Sequence, residues 1–291
     1  MMKNTRVCRW MRAGGLSLLL LGSAVAAQAQ NYQITGNVNT LASLFSPGPR
    51  EDQNNTSHFS WYDRPEAQVA QSLSEFSQVS NGGYGKASLE ASIGRLKAFA
   101  ESSYPSGIPE PHYYGYSFGT AQATFADTVK VSGAGLALGA PVRYELHLWI
   151  EGQISQPSFE VGGHLASEGI AEIRLIDQVS RAEKIFSWNA KNQSTGWYSV
   201  ALDTEVGHDL SVTGMLYALA TVDSSATLSH WAQSDFGHTA NFYLQTSQPG
   251  LNTIGASGHD FTLSAVPEPS VGVLMAAGLM LLLSLQRRRR V

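Results

Sequence analysis

From Tyr84 onward the hydrophobic pattern of this chain repeats every two residues. Ala87, Leu89, Ala91 and Ile93 alternate with Ser88, Glu90 and Ser92, and after Gly94 the register shifts so that Leu96, Ala98 and Ala100 take the apolar positions. A period of two is what a strand with one buried face requires, and the shift predicts a bulge at Gly94. Further strands are expected over residues 119–125, 128–131, 143–150, 159–165, 170–176, 184–188, 197–202, 210–222, 226–231, 240–245 and 259–264. Gly, Ser, Asn and Asp turns separate them and no helices alternate with them. The expected class is therefore all-β, an antiparallel β-sandwich of which the jelly roll is one form, and not a parallel α/β fold.

The sandwich is assigned to residues 84–265. Ahead of it, residues 30–83 are polar and turn-rich, with Ser46-Pro47-Gly48-Pro49 and Glu51-Asp52-Gln53-Asn54-Asn55, and are expected to be partly irregular. Val69, Leu73 and Phe76 recur at helical spacing after Pro65, which fits a short helix over 66–79; a strand accounts for the same residues nearly as well.

Both ends of the chain read as addresses. Lys3, Arg6, Arg9 and Arg12 precede an apolar stretch over 16–25 and the small-x-small site Ala27-Gln28-Ala29, which together predict a signal peptide over 1–29 and a mature start at Gln30. A cut after Ala26 fits the same rule. The other end carries Val266-Pro267-Glu268-Pro269, an apolar run over 271–285, and a basic tail over 286–291 that holds Arg287, Arg288, Arg289 and Arg290. A glutamate bracketed by prolines cannot sit inside a helix or a central strand, so it marks an extended, protease-accessible joint. As a helix the run of about 15 residues spans roughly 22 Å against a hydrocarbon core of about 30 Å, which is short for a permanent span. The arginines would keep its end cytoplasmic. A plain C-terminal anchor that stays in place is the alternative reading.

Pro267-Glu268-Pro269, a short apolar helix and a terminal arginine cluster, in that order, resemble the PEP-CTERM sorting signal of exopolysaccharide-producing Gram-negative bacteria. The resemblance covers residues 266–291 only. It implies an integral-membrane exosortase as partner, cleavage at or near Pro267, Glu268 and Pro269, and inner-membrane anchoring that is transient. The protein would then reach the cell surface or the extracellular matrix. It implies no activity for the body. The segment from Ser234 to Leu244, leading through Gly250 to Ser257-Gly258-His259-Asp260-Phe261, resembles the closing strands of many such proteins. There Asp235 would bond its own turn and Gly237 would supply a permissive φ.

Charge and cysteine usage exclude several classes. The chain has 19 basic and 23 acidic residues; without the basic residues of the two ends, 11 face 23, a formal charge near −12, or −11 if Glu268 also leaves. So acidic a body repels phosphate backbones and anionic headgroups, which argues against nucleic-acid and peripheral membrane binding. The single cysteine, Cys8, lies in the signal peptide, so the mature chain has no disulfide, thiolate metal site or cysteine nucleophile.

Candidate surface chemistry centres on Arg143-Tyr144-Glu145-Leu146-His147-Leu148-Trp149-Ile150. Tyr144, Leu146, Leu148 and Ile150 should face the core, leaving Glu145, His147, Trp149 and Glu151 on the other face, where they could hold a sugar or a metal. A solvated outer face is the favoured reading of that row. Tyr113, Tyr114 and Tyr116 in the loop Pro111-His112-Tyr113-Tyr114-Gly115-Tyr116 offer flat faces for stacking on sugar rings. Trp61, Trp188, Trp197 and Trp231 are expected to fill the core. No cofactor is expected. Asp203 and Glu205, beside His208-Asp209, could ligate Ca2+ through a loop, but the spaced acids of an EF-hand are missing and a polar hairpin is favoured.

Two functions remain open. One is a non-enzymatic cell-surface or matrix protein associated with exopolysaccharide; the other is a secreted hydrolase or lyase acting on that polysaccharide. The chain has no His-Glu-x-x-His, Gly-x-Ser-x-Gly, Walker or dinucleotide motif. Glu145 and Glu151 lie about 20 Å apart along a strand, beyond the roughly 5–9.5 Å that glycosidase pairs use.

Overall fold

The computed structural model describes residues 31–45, 50–80, 82–104, 114–156, 164–225 and 230–262. The signal peptide with Ala27 and Ala29, Tyr113, and the C-terminal segment with Pro267, Glu268, Pro269 and Arg287–Arg290 lie outside them, as does the expected helix over 271–285.

The described residues form twelve strands: β1 Tyr32–Phe45, β2 Glu51–Tyr62, β3 Gln71–Gln78, β4 Tyr84–Ser92, β5 Arg95–Tyr104, β6 Tyr114–Lys130, β7 Pro141–Ser155, β8 His164–Asp177, β9 Glu183–Asn189, β10 Gly196–Glu205, β11 Asp209–Ser225 and β12 His230–Thr246. They build two six-stranded antiparallel sheets. Sheet A has the order β2-β1-β6-β11-β8-β9 and sheet B the order β10-β7-β12-β5-β4-β3. The pairs β5–β12, β6–β11, β7–β10 and β8–β9 are nested. That nesting is what rolling one long antiparallel ribbon produces, the jelly-roll order. Hairpin β1–β2 extends sheet A and β3–β4 extends sheet B.

The described residues of the segment 30–83 supply β1, β2 and β3. The expected helix over 66–79 is a single 3-10 turn at Pro65–Gln68 followed by β3. Their polarity has a structural cause. On β1 the buried positions Ile34, Gly36, Val38, Thr40 and Ala42 alternate correctly but are mostly small, and β2 is an edge strand whose side chains serve as caps. Asn55 donates to the Phe76 carbonyl (2.6 Å), Gln53 accepts from the Gln78 amide (2.6 Å), Glu51 accepts from the Ser80 amide (2.9 Å), and Ser57 donates to Glu75. The unpaired main chain of β3 is thereby covered on one seam of the sandwich. At the opposite seam Phe186 of β9 stacks on Tyr198 of β10, centroids 5.0 Å apart at 17°.

Two further expectations change. The register shift at Gly94 is a two-residue turn between β4 and β5, with Ser92 opposite Arg95 and Gly94 at φ +75, and not a bulge. Residues 259–262 form a turn with one bridge, Ile254 to Asp260, where a strand over 259–264 was expected.

The core is uneven. At one end Phe125 meets Phe242 edge-on at 4.8 Å and lies 6.2 Å from Phe261, with Gly214 leaving room for both Phe125 and Phe242. At the other the layers meet through Gly85, Gly119, Ala87, Ala100, Ser102 and Ser117: a Cβ on Gly85 would overlap the Phe118 carbonyl, and one on Gly119 the Lys86 carbonyl. Ser102 and Ser117 bond each other at 2.7 Å and Thr40 bonds Ser77 at 2.8 Å, so the hydroxyls sealed there are satisfied.

Candidate functional site

The outer face of sheet B carries the candidate site. Strand β7 alternates as the sequence requires: Tyr144, Leu146, Leu148 and Ile150 are fully buried, and Glu145, His147 and Trp149 stand half-buried on the outside. Register brings partners from two neighbouring strands. Trp197 of β10 lies opposite Trp149, Ser199 opposite His147 and Ala201 opposite Glu145; on the other flank Asn241, Tyr243 and Gln245 of β12 lie opposite the same three residues.

The rings converge. Trp149 and Trp197 have centroids 5.1 Å apart at 48°, Trp197 and Tyr243 5.6 Å at 47°, and His147 meets Trp197 edge-on at 6.4 Å. Trp197 is 59% exposed. Tilts and distances of this size are ordinary for aromatic pairs, so the cluster is self-supporting while still presenting ring faces to solvent. Polar groups fringe it. Glu145 accepts from the Ser199 hydroxyl at 2.5 Å, and His147 Nε2 lies 3.8 Å from the Glu145 carboxylate with no hydrogen-bond partner among the described residues.

Glu145, His147 and Trp149 form the expected row, but Trp197 is not in the core where it was expected. Among the described residues Trp188 alone of the tryptophans is fully buried; Trp197 and Trp231, at 59% and 43% exposure, stand outside. The signal was available in part: Trp197, Ser199, Ala201 and Asp203 alternate with Tyr198, Val200 and Leu202. The described part of the expected tyrosine loop is strand. Tyr114 and Tyr116 belong to β6 in sheet A, and Tyr116 sits on that sheet's outer face, 5.8 Å from Phe118, with burial pushing its hydroxyl pKa up.

A second patch occupies the same face toward β3. Phe76 lies 5.7 Å from Tyr84, whose hydroxyl donates to Glu101 at 2.6 Å; burial first and that carboxylate second push Tyr84 up to about 12. The Lys86 ammonium lies 5.4 Å from the Phe99 ring centroid. Between the two patches strand β12 carries a bulge. Phe236 pairs with Ala98 and Ala240 with Leu96, so two extra residues, Gly237 and His238, stand out from a central strand. The Gly237 amide donates to Asp235 Oδ1 at 3.0 Å, and Thr239 takes the positive φ, +140, that sequence reasoning assigned to Gly237.

The acidic turn after β10 does not gather its carboxylates. Asp203 pairs with Arg143 at 3.6 Å, Asp209 with Lys130 at 3.1 Å, and Glu205 lies 3.9 Å from His208 Nε2. Among the described residues no group of three or more His, Cys, Asp or Glu side chains is arranged to hold a metal ion. The organised group there is Asp177, buried, which accepts from Thr204 Oγ1 and bonds His208 Nδ1, both at 2.7 Å, and accepts from the Val179 and Ser180 amides. Burial would raise the Asp177 pKa, but the bonds from His208, Ser180, Thr204 and Val179 together hold it well below the usual carboxylate range. The group ties the β8–β9 and β10–β11 turns to strand β10.

No family model matches the chain, and no curated protein does. Among solved structures it is similar to TmCBM61 in complex with beta-1,4-galactotriose, at 11% identity over 50% of this chain and 81% of that one, with a TM-score of 0.21. It is similar to carbohydrate-binding modules from the beta-sandwich super family, at 10% identity over 70% of this chain and 85% of that one, TM-score 0.17. A third likeness is to the CBM22-1-GH10 modules of Clostridium thermocellum xylanase 10B complexed with xylohexaose, at 11% identity over 54% of this chain and 26% of that one, TM-score 0.14. All three lie below a TM-score of 0.5 and carry no argument about function; the side chains do.

Proposed function

We propose that the protein is an exported, non-enzymatic polysaccharide-binding protein whose outer sheet B face is the binding surface, and that residues 266–291 act as a PEP-CTERM sorting signal processed by an exosortase. One observation carries the binding reading: three strands bring Trp149, Trp197 and Tyr243 into contact on an open face with Glu145, His147, Ser199 and Asn241 around them. Sugar rings have apolar faces and polar rims. A surface of flat rings edged by donors and acceptors matches both at once. The Asp177–His208 pair supports no hydrolytic reading, because it is consumed by turn hydrogen bonds.

The test is retention of the purified protein on immobilised neutral and anionic polysaccharides, with reducing-end release measured in parallel. Aromatic contacts are worth about 1 kcal/mol, so Trp149→Ala or Trp197→Ala is expected to weaken retention roughly five- to tenfold, with thermal stability changed little. Retention unaffected by both substitutions would remove the platform from the argument, and release of reducing ends by the wild-type protein would make it an enzyme.

A further inference from the structure

The platform covers only half of the outer face. Between it and the Phe76–Tyr84 patch lies a groove of about 490 Å3 whose lining includes Ser72, Ser74, Ser88, Phe99 and the Glu90–Lys97 pair, with Gly237 of the β12 bulge on its rim. Resting on the polysaccharide-binding reading above, we propose that this groove is a second subsite for the same ligand, so that one neutral glycan chain runs diagonally across sheet B from Trp149 to Phe99.

Four observations carry it. The groove and the platform share one continuous face, since Asn241 pairs with Trp149 on one side and with Arg95 on the other. From Trp149 to Phe99 is two strands across and four residues along, about 16 Å at β spacing, longer than a disaccharide. The lining offers one aromatic ring, Phe99, and three hydroxyls, those of Ser72, Ser74 and Ser88, each of which can both donate and accept. The charged lining residues, Glu90 and Lys97, face each other at 3.5 Å and cancel, and the neighbouring Lys86 ammonium is directed at the Phe99 ring, 5.4 Å from its centroid, in a protein whose body is acidic. An uncharged chain needs no counter-charge in such a groove, whereas a uronate or sulfated chain would have to compete for cations already engaged.

The bulge fits this division. Two extra residues in a central strand interrupt the ladder on both flanks, and Thr239 is held at a φ that a β-branched residue rarely adopts. Gly237, exposed at the edge of the groove, carries no side chain, so a chain leaving the platform has a way through.

The experiment measures affinity by calorimetry for a disaccharide and a hexasaccharide cut from whichever neutral polysaccharide retains the wild-type protein. Phe99→Ala is expected to weaken hexasaccharide binding about tenfold and leave disaccharide binding unchanged, while Trp149→Ala weakens both. Ser74→Arg, on the exposed edge strand and away from the core, blocks the groove and should reproduce the Phe99→Ala pattern. Hexasaccharide affinity unchanged in both groove variants, with Trp149→Ala still defective, overturns the second subsite and leaves the platform standing. Absence of any retained polysaccharide overturns both, and loss of a solution dimer in the groove variants identifies a second copy of the chain as the occupant and overturns the proposal.

Discussion

Asp177 shows how one side chain can join distant turns. Its carboxylate collects the β8–β9 turn through Val179 and Ser180, β10 through Thr204 and the β10–β11 turn through His208. Its folded pKa is depressed, so its stabilisation is complete above the ordinary carboxylate value near pH 4 and drains away as acid is added below it. Asp177→Asn is therefore expected to cost about 1–3 kcal/mol at neutral pH, a loss of several degrees in Tm, and to flatten the acid limb of a Tm-versus-pH curve. A variant whose curve stays parallel to the wild type would show that another group governs the acid limb. Nothing in the sequence marks Asp177, because its partners come from two separate turns and from strand β10.

At the scale of elements, the β2–β3 seam explains a composition that reads as disorder. Glu51, Gln53, Asn55 and Ser57 point at the open edge of β3 and take over its main-chain and side-chain partners. Replacing Gln53 and Asn55 together by Ala should lower stability by about 1–2 kcal/mol and leave the fold intact, while exposing an edge that promotes association. Unchanged stability and unchanged sedimentation in the double variant would assign those residues to solvent. The β7 pattern was legible because large apolar residues mark its inner face. The β1 and β3 patterns were not, since Gly, Ser, Thr and Ala hold buried positions wherever the sheets approach closely.

At the scale of the whole molecule, the twelve described strands form two sheets, one of whose outer faces carries an aromatic cluster and a serine-lined groove, and the chain is flanked by segments that read as export and sorting signals. Processing of both ends predicts a secreted species running from Gln30 or Ala27 to a terminus near Pro267–Pro269. Intact mass of the protein released by its native host decides this, and recovery of a species that keeps Arg287–Arg290 would sink the cleavage. Such a product would be acidic and free of cysteine, its stability resting on the packed sheets alone.

The sequence by itself determined the all-β class and the inner and outer sides of β7, because both follow from local period. Only the tertiary structure decided which aromatics meet. Trp149, Trp197 and Tyr243 become neighbours when the ribbon rolls β10 onto β7 and β12 onto its other edge, and those registers depend on hairpin and crossover geometry far from the residues themselves. The same holds for the groove: a bulge in β12 and an edge formed by β3 shape it, and strand-period patterning carries no information about which distant strands will share a face.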